Sequence, residues 1–186
     1  RSAVLEMADE LSGKEIKIID SPVSGGRGGA EAGTLTLMAS GDNETFSICS
    51  GVLGAIARNI NYVGKKIGQG QTVKHVLSAL TGSCYVGIFE ALVLGAKAGV
   101  DINALYNVIS TSSVGNFIFK DSAKLIMERK FKGTGSHIGT MYKDLGLSMQ
   151  LARDCGVSMP MTSVAMEMFQ AGISSFPEED NWSIIK

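Results

Sequence analysis

The sequence is poor in the residues that build metal centres and disulfide frameworks. Its 186 residues hold three cysteines, Cys49, Cys84 and Cys155, widely separated and odd in number. Reduced thiols in a cytoplasmic protein fit that pattern better than a disulfide-stapled secreted fold. The two histidines, His75 and His137, have no Cys, His or acidic neighbour at ligand spacing, so no metal site is expected. Neither charge sign is in excess: 17 Lys and Arg against 18 Asp and Glu leave a formal charge of −1. That balance gives no electrostatic reason to expect nucleic acid or an anionic membrane as partner. The opening residues Arg1-Ser2-Ala3-Val4-Leu5 carry no signal or transit pattern.

What the chain has is apolar content and glycine. Hydrophobic residues make up 45%, enough for one good core or two small units sharing an interface. The 23 glycines fall at punctuation points rather than in a repeat. One run, Ser78 to Ala96, has Glu90 as its only charge and is long enough for a membrane span. A charge near its centre, Lys74 and Lys97 at its ends and no aromatic belt favour the core helix of a soluble protein.

Periodicity divides the chain in two. Up to about Gly64, short helix and strand patterns alternate: helix over 3–11, strands over 16–20, 34–38 and 59–63, and a helix over 43–57 begun by Asp42 or Asn43. This alternation implies an α/β layer. Beyond it, all segments carry helical spacing, the longest over about 70–99. The expected domains are 1–66 and 67–186. The α/β part lacks a dinucleotide fingerprint: Gly26 and Gly28 begin one, but Glu31 stands where the third glycine belongs, and Val73 does the same after Gly68 and Gly70. Three strands make a marginal sheet, so a C-terminal fragment of a longer protein is expected.

Three segments carry candidate chemistry. Asp20-Ser21-Pro22-Val23-Ser24-Gly25-Gly26 ends a strand in a turn whose Ser24 hydroxyl and Gly25 and Gly26 amides can cradle a carboxylate; alone it reads as a flexible loop. Gly68-Gln69-Gly70-Gln71-Thr72-Val73-Lys74 opens the long apolar helix. An ammonium there is costly to desolvate, which makes Lys74 a candidate for proton exchange, although most lysines merely snorkel. Lys143-Asp144 lies within a later helical pattern, where such a pair is usually solvated.

Taken in order and spacing, these three segments resemble the β-hydroxyacid dehydrogenase family, which includes 3-hydroxyisobutyrate dehydrogenase, tartronate semialdehyde reductase and, more distantly, 6-phosphogluconate dehydrogenase. The resemblance covers essentially the whole chain. It implies a fold of the C-terminal part of a Rossmann-type nucleotide-binding domain followed by an all-α domain like the C-terminal domain of 6-phosphogluconate dehydrogenase, joined by the long helix. It implies that Lys74 is the general acid/base and that Ser24, Gly25 and Gly26 hold the substrate carboxylate. Asp144 and Ser78 would lie on the substrate side, Lys143 and Gly70 on the side of an NAD or NADP cofactor. It also implies a small hydroxyacid substrate and a homodimer or larger homo-oligomer through the helical domain. Most of the cofactor site is expected to be missing, and the fragment alone inactive.

Two positions depart from the family pattern. Many members have Asn four residues after the lysine, where this chain has Ser78, and Phe eight residues before the motif aspartate, where it has Ser136 followed by His137. A more polar pocket wall resembles the threonate-dehydrogenase branch and favours a polyhydroxylated acid. The rival from another class is a non-catalytic oligomerisation module, against which the retained Lys74 argues.

Overall fold

A computed structural model describes residues 1–186. The chain divides into two compact units, Arg1–Leu77 and Ser78–Lys186.

The first unit begins with helix α1, Ser2–Glu10, and continues as strand β1, Val23–Ser24, helix α2, Gly26–Glu31, strand β2, Leu35–Ser40, helix α3, Asn43–Ile56, and strand β3, Ala57–Gly64. The sheet order is β1-β2-β3, with β1 antiparallel and β3 parallel to β2. The β2–α3–β3 stretch is the crossover unit that parallel pairing requires. Its core is Leu37, Ala39, Leu53 and Ala57, with Ile19, Leu35, Phe46, Cys49 and Ile60 packed around them. Asp42 starts α3 by accepting from the Thr45 amide at 3.0 Å, which satisfies one of the free amides of the first turn.

Two expectations about this unit are corrected. The sequence predicts a remnant of a Rossmann-type domain, but a β1-α2-β2-α3-β3 layer with its own core is present within the chain. The reason is economy of sheet: β2, buried from Leu37 to Ser40, is covered on its edges by β1 and β3, so three strands suffice to bury one apolar strand. The strand predicted over 16–20 shrinks to one bridge, in which Asp20 and Ser40 exchange backbone bonds of 2.9 and 2.7 Å. Pro22 has no N–H to give the ladder, although its carbonyl accepts from the Met38 amide at 3.0 Å, and the strand resumes at Val23.

Helix α4, Gln69–Lys97, runs from the first unit into the second. The second unit holds the remainder of α4 with α5, Ile102–Thr111, α6, Phe117–Met127, α7, Ile138–Cys155, α8, Pro160–Ser175, and a 3₁₀ turn, Asn181–Ile185. Tyr85, Val86 and Phe89 of α4 pack with Ile138 and Leu145 of α7, Ala165 and Phe169 of α8, and Trp182. Trp182 donates its indole N–H to the Lys130 carbonyl at 2.6 Å, so this large side chain is buried with its polar atom satisfied. Gly82 admits Leu145: a Cβ there would lie 2.6 Å from the leucine's Cδ2.

Candidate active site

The first two motifs are locked together in the first unit by one buried carboxylate. Asp20, 3% exposed, accepts at Oδ2 from the amides of Gly68 and Gln71 and from the Ser40 hydroxyl, each at 3.1 Å. Its Oδ1 accepts from the Gln71 side-chain amide, also at 3.1 Å. Ser40 in turn receives the Gly70 amide at 2.9 Å. The start of α4 therefore sits directly on the segment that leads into β1. Gly70 makes that approach possible, because a Cβ would collide with the Met38 carbonyl oxygen and stand 2.8 Å from the Pro22 ring.

Ser24 ends β1, half-buried, and Gly25 and Gly26 follow as the N-cap and first residue of α2. Both glycines have positive φ, 129° and 59°, a conformation that L side chains resist. As first-turn residues their amides have no intrahelical acceptor. A Cβ on Gly26 would meet nothing within 4 Å, so that side of the turn is open. Earlier in the same segment, the buried Ser21 hydroxyl has no hydrogen-bond partner in the chain.

Lys74 lies one helical turn beyond Gly70 in α4 and is half-buried rather than fully buried. None of the five ion pairs in the protein uses its ammonium. Ser24, Gly25, Gly26, Gly70 and Lys74 thus all belong to the first unit, while Ser78, Lys143 and Asp144 belong to the second. Ser78 is buried, one turn along α4 from Lys74. Lys143 and Asp144, on α7, are paired at 2.7 Å, with the lysine side chain 64% exposed and the aspartate largely covered. Among the residues the sequence reading passed over are Asp20, Ser40 and Gln71. Asp20 stood in the motif, yet nothing local marks it, since its donors are 20, 48 and 51 residues away.

Comparison with known proteins divides the chain earlier, between residues 64 and 68, so that Gly70 and Lys74 fall in the second match. Residues 68–186 match the family described as "NAD-binding of NADP-dependent 3-hydroxyisobutyrate dehydrogenase". The chain belongs to the 3-hydroxyisobutyrate dehydrogenase family. Residues 2–64 match the NAD-binding domain of 6-phosphogluconate dehydrogenase, which corrects the expectation that most of the cofactor site is missing from this chain. The chain is 36% identical to 2-(hydroxymethyl)glutarate dehydrogenase of Eubacterium barkeri, across all of this chain and 62% of that protein. It is 31% identical to L-threonate dehydrogenase of Escherichia coli K12, across 97% of this chain and 60% of that one. A crystal structure of 3-hydroxyisobutyrate dehydrogenase from Salmonella typhimurium superposes with a TM-score of 0.90 at 29% identity, covering 99% of this chain and 65% of its own. The Mycobacterium tuberculosis 3-hydroxyisobutyrate dehydrogenase with L-serine gives 0.89 at 27%, with the same coverage. The chain spans about three-fifths of the length of the curated relatives it matches.

Proposed function

We propose that this chain grips a small β-hydroxyacid and moves its hydroxyl proton in a nicotinamide-dependent oxidoreductase of the cytoplasm. The observation that carries the reading is the Asp20 lock, which ties the Ser24–Gly26 turn and the Lys74 helix into one unit. Ser24 Oγ and the amides of Gly25 and Gly26 hold the substrate carboxylate; the positive φ of both glycines and the open space at Gly26 suit an anionic guest. Lys74 is the general acid/base. Its neutral amine accepts the hydroxyl proton as the alcohol is oxidised, and its ammonium returns that proton to the forming alkoxide in reduction.

When bound, NAD or NADP supplies the hydride acceptor or donor. The residues present fit such a group: the exposed Lys143 ammonium suits an anionic dinucleotide, and Asp144 orients that ammonium at 2.7 Å. Gly70, with its amide on Ser40 and the space of its missing side chain filled, serves the cofactor side by seating α4 rather than by donating. Ser78 and Asp144 contribute on the substrate side. Self-association through the helical unit completes the proposal.

The 2-(hydroxymethyl)glutarate and L-threonate dehydrogenases among the relatives, together with Ser78 and Ser136 in place of Asn and Phe, favour a polar, multiply oxygenated acid over an isobutyrate-like one. A panel of hydroxyacids ordered by chain length and hydroxyl number, run with NAD and NADP on the wild type and Lys74→Met, tests the reading. Loss of general acid/base catalysis lowers turnover by about 10²–10⁴-fold. Full dehydrogenase activity of Lys74→Met in full-length context would remove Lys74 from the chemistry and leave the oligomerisation module as the better account of this segment.

A further inference from the structure

We infer that Asp20 is a positioning residue for Lys74, acting through the first turn of α4; this rests on reading Lys74 as the proton-transfer group. The helices α3 and α5 show what an ordinary cap looks like here. Asp42 and Asp101 each accept from an amide three residues ahead in their own chain segment, at 3.0 and 2.9 Å. Asp20 does the same task for α4 from far away in sequence, and it is buried where they are exposed. A buried carboxylate is retained only when donors surround it, and Asp20 has four: two helix-start amides, the Gln71 side chain and the Ser40 hydroxyl.

The consequence is mechanical and electrostatic at once. Because one carboxylate holds Gly68 and Gln71, and Ser40 holds Gly70, the origin of α4 is fixed against β2 and the Pro22 segment. Lys74 follows three residues after Gln71 on a rigid helix, so any shift at the origin is passed to its Cα. The Asp20 charge also faces the positive end of the α4 dipole, within the region where that field acts. Ser24 leaves the same segment four residues later, so Asp20 references both the carboxylate turn and the lysine to one point.

Asp20→Asn keeps the shape, removes the charge and turns an acceptor into a donor facing amides. The test compares it with wild type in two readouts. One is the rate at which an amine-reactive ester labels Lys74, measured by mass spectrometry relative to the exposed Lys14 and Lys65. The other is steady-state oxidation of the best hydroxyacid from the panel, with hydrogen or deuterium on the carbinol carbon. The inference expects relative Lys74 labelling to change about fivefold or more. It expects kcat to fall by about tenfold to a hundredfold with KM nearly unchanged, since misplacement of about 1 Å has effects of that size. The isotope effect should rise, which a mere loss of folded protein would not produce. A folded Asp20→Asn protein with wild-type relative labelling, or with lowered kcat and an unchanged isotope effect, overturns the inference. If Asp20→Asn does not fold, Ser40→Ala and Gln71→Ala carry the same readouts with smaller changes, and no change in either overturns it. Should wild type turn over no hydroxyacid while Lys74 labelling still responds to Asp20→Asn, the proposed function fails and the positioning role stands.

Discussion

Tyr85 shows how one buried group makes stability depend on pH. Its ring is 9% exposed and stacks on Phe89 at 5.8 Å. Burial pushes its phenol up to about 12, with the Asn181 side chain pulling the other way and the Asp121 charge adding to the rise. An unfolded tyrosine ionises near 10. Between those two values the unfolded chain gives up its proton while the folded one keeps it, so stability falls as pH rises through that window. The full contribution is about 2–3 kcal/mol. Denaturant unfolding at pH 9 and pH 12 should therefore cost wild type about that much more than Tyr85→Phe. Equal losses in the two proteins would show that the phenol is not the titrating group. The reverse sign holds for Asp42, whose carboxyl is drawn below its usual range by the Thr45 hydroxyl and amide. Its contribution is present above the ordinary carboxylate range and is lost as pH falls, so Asp42→Asn should flatten the acid side of the stability curve.

At the scale of the element, helix starts differ in how far away their partners lie. Asn116 caps α6 by accepting from the Phe119 amide at 2.8 Å, a contact three residues long. Asn116→Ala should destabilise the protein by about 1 kcal/mol, read from the urea midpoint at constant m. Gly70→Ala should cost more, about 1–3 kcal/mol, because the added methyl meets the Met38 carbonyl, the Pro22 ring and Asp20 Oδ2 rather than solvent. A Gly70→Ala protein as stable and as active as wild type would mean that α4 does not depend on that approach. The same contrast explains what could be read from the sequence. The start of α3 at Asp42 or Asn43 was legible because donor and acceptor sit within four residues. The Asp20 lock was not, since hydrogen bonds over 48 and 51 residues leave no local pattern. Helix α2 was missed for a related reason: Gly26-Arg27-Gly28-Gly29 has poor helix propensity and reads as loop. The strand predicted from Ile16-Lys17-Ile18-Ile19 had the right residues but no neighbour to pair with before Asp20.

For the whole molecule, the question raised by the sequence is whether its longest apolar run serves lipid or protein. Helix α4 is long and apolar enough to cross a membrane by length and composition, and a third of its most apolar window is buried within the protein. The buried third is informative in its chemistry. Tyr85, Val86, Phe89 and Leu92 all lie in cores shared with other helices of the second unit. Two of its small residues are already committed, Gly82 to Leu145 and Gly95 to Leu105. Small residues in a membrane span serve close approach of a second span, whereas these two receive leucines from α7 and α5. Glu90 is exposed, with no ion-pair partner, which hydrocarbon would penalise and water does not. Val76, Leu80 and Leu94 remain exposed on the same helix, an apolar surface that self-association through the helical unit would cover. The protein should therefore stay in the supernatant after high-speed centrifugation and in the aqueous phase of a detergent cloud-point separation. Dilution should change its size on a gel-filtration column rather than its phase. Recovery in the detergent-rich phase, at concentrations where the protein remains folded, would assign the exposed face of α4 to lipid and remove the case for a core helix.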